Sequence, residues 1–266
     1  MLTIATWNIN SVRLRMPIVE RLLKEQAPDI LCLQETKCPD DLFPAKAFID
    51  LGYEHVAING QKGYHGVATV ARRPLAIVEK RQFCGIPDSR HLATRLESGG
   101  KTILLHNFYL PAGGDEPDPA INPKFRHKLD FVAEMRAVGA DLDGFDGSVL
   151  VGDLNIAPLE HDVWSHKQLL NVVSHTPVET TNFEAMRRHC GWVDLMRTAV
   201  PPDQKLYTWW SYRAADWQAS DRGRRLDHVW SSQGLSASFL GMDVLRDARG
   251  WDRPSDHVPV IARFDL

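Results

Sequence analysis

Apolar runs and period-two alternation recur along nearly the whole 266-residue chain. Read as extended segments bounded by turn residues, they predict strands over 2–8, 29–34, 53–58, 65–71, 75–82, 91–96, 102–109, 148–153, 205–211, 226–231, 237–244 and 258–264. Helical spacing appears between them. Over 17–26, Pro17 suits a first turn, and Ile18, Val19, Leu22 and Leu23 share one face. Over 123–137, Phe125, Leu129, Val132 and Arg136 recur at three-to-four spacing behind Asn122-Pro123, a cap and a first turn. Shorter helices are expected over 162–172 and 181–190.

The short gaps within 65–109 call for antiparallel pairing and exclude a purely parallel sheet. Both halves run from strands to a helix and on to acid-ended strands. That order predicts one α/β domain over 1–266, two packed sheets flanked by helices, with the strand ends converging on one rim. Residues 112–121, with Gly113, Gly114, Pro117 and Pro119, read as a mobile surface loop beside that rim.

The chemistry is written at those strand ends. Thr6-Trp7-Asn8, Gln34-Glu35-Thr36 and Gly152-Asp153-Leu154-Asn155 each follow an apolar run, and Ser255-Asp256-His257 precedes one. Asp153 and Asn155, two residues apart, point the same way on an extended chain. Oxygen donors without a cysteine suit a hard cation such as Mg²⁺, and a lone histidine argues against zinc. Asp227, in Arg225-Leu226-Asp227-His228, is placed to orient and charge His257. A hard cation, an acid-paired histidine and a spare carboxylate together describe phosphodiester hydrolysis by an activated water.

Composition sharpens this in three respects. A net charge of −3 offers no global basic field, so any polyanion must be held by local patches or by a metal that offsets the acids. No stretch approaches the ~20 apolar residues that span a bilayer, and no secretory signal is expected at the start. Cys32, Cys38, Cys84 and Cys190 form no C-x-x-C pair; Cys32 reads as a buried free thiol, and a reducing cytoplasm fits.

These motifs, in this order, resemble the exonuclease III family of class II abasic-site endonucleases, within the endonuclease/exonuclease/phosphatase superfamily. The carrying stretches are Thr6–Arg13, Leu33–Lys37, Gly60–Ala68, Asn107–Pro111, Gly152–Pro158, Tyr207–Arg213, Arg225–Asp227 and Arg253–His257. The resemblance implies a deoxyribonuclease I-like, four-layer αββα sandwich of two mixed sheets. It implies Mg²⁺-dependent incision of duplex DNA 5′ to abasic sites, leaving a 3′-OH, with Mn²⁺ a possible substitute. Also implied are 3′→5′ exonuclease and 3′-end-cleaning activity, DNA with abasic sites or blocked 3′ ends as partner, and a monomer without membrane contact. Asn8 and Glu35 would sit at the metal with Asp256 beside them. Asp153 would orient or deprotonate the water, and Asn155 would hold it or a phosphate oxygen. His257 with Asp227 would meet the phosphate, and Tyr109 would donate to it or to the leaving oxygen. Trp210 and Leu226 are candidates for the wall of the abasic-sugar pocket. Arg222, Arg224 and Arg225 form the densest basic cluster, with Lys62, Arg90, Lys124, Arg126 and Lys128 as further candidates for backbone contacts. Ala112-Gly113-Gly114 departs from the family's usual amide and glycine after the proline. Two rival readings are a superfamily phosphatase or phospholipase and a catalytically inactive DNA-binding module. The intact acid, amide and histidine set counts against the second.

Overall fold

The computed structural model describes residues 1–214 and 216–266. In chain order the strands are β1 Leu2–Asn8, β2 Ile30–Gln34, β3 His55–Asn59, β4 Val67–Ala71, β5 Leu75–Glu79, β6 His91–Ser98 and β7 Lys101–Tyr109. They continue with β8 Gly147–Asp153, β9 Val193–Asp194, β10 Trp209–Trp210, β11 Gly223–Arg224, β12 Asp227–Ser231, β13 Phe239–Val244 and β14 Val260–Phe264. Two six-stranded sheets result, ordered β13-β14-β1-β2-β4-β3 and β5-β6-β7-β8-β12-β9. Parallel pairs at β1/β2 and β7/β8 sit among antiparallel neighbours, so both sheets are mixed.

Alternation decides which face goes where. On β1, Leu2 and Ile4 point between the sheets while Ala5 and Trp7 point outward. On β8, Val149 and Val151 join that central core and Leu150 faces out. The helix Val12–Glu25 covers one outer face with Val12, Val19, Leu22 and Leu23. Helices Pro123–Glu134 and Pro177–His189 cover the other through Phe131, Val132, Phe183 and Met186. This is the expected four-layer αββα sandwich, helix–sheet–sheet–helix. No helix among the described residues is long and apolar enough to cross a membrane.

Several local expectations need correcting. A short helical turn from Val12 precedes the expected helix, and non-helical backbone at Arg15 separates the two, so that Pro17 keeps its place in a first turn. The strand expected over 205–211 shrinks to Trp209–Trp210, which pairs with Gly223–Arg224. The helix expected over 162–172 is only His166–Leu169, because Val163 bridges to Arg224 instead. The helix expected from 181 starts at Pro177, where Thr176 and Glu179 form a reciprocal capping box that the sequence displays and its periodicity hid. The loop 213–224 includes Ala215, which lies outside the described residues; within it, Trp217–Ser220 forms one helical turn.

Candidate active site

Strand register places the functional side chains in one row. Tyr109 at the end of β7 lies beside Asp153 at the end of β8, and Asp153 lies opposite Asp227 at the start of β12. From the other sheet, Asn8 ends β1 opposite Gln34, and Glu35 follows at once. Glu35 turns out of its strand at φ 51° and Asn155 at φ 52°, the left-handed region that makes each chain leave the sheet at the rim. The Ser255 hydroxyl donates to the Asn8 carbonyl at 2.6 Å and the Trp7 indole to the His257 carbonyl at 3.0 Å. Those bonds pin the Asp256-His257 segment against β1.

The polar contacts interlock. The Asn8 amide donates to Glu35 Oε1 at 2.9 Å and to Asp153 Oδ2 at 2.8 Å. The Tyr109 hydroxyl donates to Glu35 Oε1 at 2.8 Å, and Lys37 Nζ lies 2.8 Å from Glu35 Oε2. The Asn155 amide donates to Asp153 Oδ2 at 3.1 Å and to the Leu110 carbonyl at 2.9 Å. His257 places Nδ1 2.8 Å from Asp227 Oδ2 and Nε2 3.6 Å from Asp153 Oδ2. Asp256 faces slightly aside, its carboxylate accepting from the Trp209 indole at 2.9 Å and the Asn10 amide at 3.4 Å.

Burial and charge divide the roles. Burial raises the Asp153 pKa to about 7. Burial also works against a charged His257, but Asp227 and Asp153 outweigh it and raise its pKa to about 10. Burial and the neighbouring Glu35 and Asp153 hold Tyr109 well above the ordinary phenol range, so it stays a donor. Burial opposes the Glu35 carboxylate, yet Lys37, Asn8 and Tyr109 together keep its pKa below the usual value. At neutral pH the arrangement offers a poised carboxylate, an imidazolium and a phenol around one point.

A hard cation fits this donor set. Oδ1 of Asp227 is buried without a hydrogen-bond partner among the described residues, and its carboxylate stands close to that of Asp153, while His257 beside them, held as an imidazolium, has no lone pair to offer a cation. Glu35 already attracts one cation, the Lys37 ammonium, and Asp256 adds negative charge at the same rim.

Beside this centre opens a cavity of about 680 Å³, walled by Trp164, Val173, Trp209, Trp210, Arg222 and Leu226 among others. Leu226 lines it as expected. Trp210 is only 2% exposed, its indole donating to Asp221 at 3.0 Å, and Trp209 offers more surface to the cavity. Arg222 is exposed and stacks over Trp164 at 4.6 Å. Arg224 is already engaged: it donates to the Val173 carbonyl and the Ser174 hydroxyl, and its guanidinium lies over Trp209. Lys62 stands exposed on the loop before β4, beside the exposed Tyr64.

Other basic candidates are buried and already paired with acids. Arg90 is 7% exposed, paired with Asp88, bonded to His65 Nε2 at 2.9 Å and stacked under the Tyr109 ring at 4.8 Å. It supports Tyr109 from below rather than meeting solvent. Arg225 and Lys128 are fully buried, the first between Asp162 and Asp194, the second on Glu179. Sequence reasoning passed over Trp164, for which no local signal stands out. It quoted Asn10 and Lys37 within motifs without giving either a role.

The fold and this rim define a protein class, and comparison agrees. The chain belongs to the endonuclease/exonuclease/phosphatase family, whose sequence pattern matches residues 5–257. Within that family it falls in the exonuclease III and AP endonuclease branch, and it is a hydrolase. Exodeoxyribonuclease III of Haemophilus influenzae is 29% identical over 272 residues, covering 97% of this chain and 98% of that protein. The 3′ phosphatase NExo from Neisseria, solved with a product DNA hairpin, is 32% identical with a TM-score of 0.89, each chain covered at 100%. An AP endonuclease from Archaeoglobus fulgidus is 31% identical with a TM-score of 0.89, again at 100% coverage of both.

Proposed function

We propose that the chain is a Mg²⁺-dependent DNA-repair phosphodiesterase that incises duplex DNA 5′ to abasic sites and leaves a 3′-OH. On the same site it removes 3′-terminal nucleotides and 3′-blocking groups. The observation that carries the reading is the row Tyr109–Asp153–Asp227, with His257 bridging the two acids, at the floor of an aromatic-walled cavity. Relatives that act on DNA ends and abasic sites, at 31–32% identity over the whole chain, support it.

In this reading Asp153 accepts the proton of the attacking water, a role suited to a carboxyl whose pKa burial raises to about 7. Asn155 and Asn8 hold that carboxylate through their amides. The His257 imidazolium, held charged by Asp227, donates to a phosphate oxygen as negative charge builds there. Tyr109 donates its hydroxyl to the phosphate or the leaving oxygen. Glu35 would hold Mg²⁺ with Asn8 and Asp256 beside it, and the bound ion would supply positive charge against the phosphate oxygens. Arg222 and Lys62 contact backbone phosphates. Trp209 and Leu226 wall the space for the baseless sugar, which needs apolar surface and no base-edge donors.

A 5′-labelled duplex carrying one tetrahydrofuran abasic analogue tests this directly. Cleavage should require added Mg²⁺, stop with EDTA, and fall by at least ~10²-fold in Asp153→Asn, the low end for a lost general base. Equal cleavage by Asp153→Asn would reject Asp153 as the base, and preference for an inositol phosphate over the duplex would reject the reading in favour of the superfamily phosphatases.

A further inference from the structure

Lys128 is a fully buried ammonium that no step of the proposed reaction uses. Its Nζ donates to the Asn155 carbonyl at 2.8 Å and the Ala112 carbonyl at 3.2 Å, and it pairs with Glu179 Oε1 at 2.5 Å. Glu179, itself 0% exposed, accepts from the backbone N–H groups of Ser174 and Thr176 and from the Thr176 hydroxyl. Ala112, Asn155 and Ser174 all line the cavity beside the catalytic centre. Separate loops of the active-site wall therefore end on one buried ion pair.

Stability alone is a poor reason for such a pair. Desolvating two charges commonly offsets their attraction, and apolar residues of similar volume often serve as well. Geometry is the better reason. Asn155 holds φ 52°, a conformation asparagine tolerates better than most side chains, and from that turn its amide reaches Asp153 and Leu110. A carbonyl anchored by a buried ammonium resists relaxation of the turn to extended backbone. Gly113 shows how closely the loop is fitted to the lysine. At φ 91° it lies where an added Cβ would stand 2.8 Å from Lys128 Cδ and 3.0 Å from Val173 Cγ1.

We propose that Lys128, paired with Glu179, is a positioning residue. Its ammonium locks Asn155 in the left-handed turn, so setting Asp153 for the reaction, and ties that turn to the Ala112 loop and the Ser174 wall.

Lys128→Met alone would strand a buried carboxylate, so the test uses Lys128→Met with Glu179→Gln, which removes both charges and keeps an acceptor for Ser174. The double variant should melt within about 5 °C of wild type, as neutralised buried pairs commonly do. Its kcat for abasic-site incision should fall at least about tenfold with KM within about threefold. In an Asn155→Ala background the same two substitutions should change kcat by less than about twofold, because the group they act through is already gone. Hydrogen exchange at the Asn155 side-chain amide should rise in the double variant, a readout that needs no substrate. A loss that adds in full to that of Asn155→Ala, a wild-type kcat, or unchanged amide exchange each overturns the proposal. Should the wild-type protein fail on abasic DNA, the functional reading falls, and the amide exchange still decides the positioning role. Should the double variant not fold, Gly113→Ala, which crowds the lysine stem without removing either charge, is measured with the same outcomes against Gly114→Ala, a left-handed glycine of the same loop whose added Cβ would meet Asn122 and not Lys128.

Discussion

Replacing Asp227 with asparagine removes one anion while keeping the side chain's size and an acceptor for the histidine. In the wild-type site the nearer carboxylate, Asp227, is 2.8 Å from His257 Nδ1 and the farther, Asp153, is 3.6 Å from Nε2. Against the opposing effect of burial, these two raise the imidazole from its ordinary 6.5 to about 10. Removing the nearer anion, the larger of the two favourable causes, should move the histidine's titration down, each pH unit of that shift corresponding to about 1.36 kcal/mol of lost interaction with the imidazolium. The sign follows from which form is useful. The imidazolium persists until pH climbs through the folded value of about 10, whereas the stability it contributes is full only below the ordinary 6.5 and declines from there to the folded value. Wild-type kcat/KM should therefore show no histidine limb below about pH 9, while Asp227→Asn should fall at a distinctly lower pH. The variant's stability should likewise lose the histidine contribution at a lower pH than the wild type does. Incision rates at saturating Mg²⁺ from pH 6 to 10 are the assay. Superimposable pH profiles would refute the claim that Asp227 sets the charge of His257.

Glu35→Ala removes the carboxylate best placed for a cation and should raise the Mg²⁺ concentration for half activity at least about tenfold; a titration that overlays wild type would make Glu35 structural. Arg222→Ala should lessen the salt dependence of log affinity by about 0.9, one phosphate's worth, for abasic and intact duplexes alike. Trp209→Ala should instead weaken abasic DNA selectively, since it opens the cavity wall and removes no charge; the reverse division between these two variants would sink the assignment. Arg225→Met removes the guanidinium between Asp162 and Asp194 and leaves the buried Asp162 to Arg197 alone. It should cost about 3 kcal/mol, the low end for a broken buried pair because Arg197 stays, seen as a fall in Tm on the order of 10 °C, and an unchanged Tm would mean Arg197 and water suffice for Asp162.

The sandwich and its reactive rim were largely legible because their signals are local. Period-two alternation on β1 and β8 assigns inner and outer faces without any partner strand, and a strand that ends in an acid or amide presents it at the sheet's edge. Asn8, Glu35 and Asp153 carry that punctuation, and the structure brings them to one rim with Tyr109, Asp227 and His257. The capping box at Thr176 and Glu179 was just as local; a reading led by periodicity overlooked it.

Basic residues were another matter. Arg222, Arg224 and Arg225 are near neighbours in sequence and chemically alike, yet they meet different fates. Arg222 lies in solvent over Trp164, Arg224 is tied to Val173 and Ser174, and Arg225 is sealed between Asp162 and Asp194. Arg90 and Lys128 likewise turn inward, to Asp88 and to Glu179. A guanidinium or ammonium is stable in water or against a buried acid, and its own residue type does not say which. The Arg225 partners stand 63 and 31 residues away in the chain, so only folding brings the acids within reach and leaves Arg222 free to meet a phosphate.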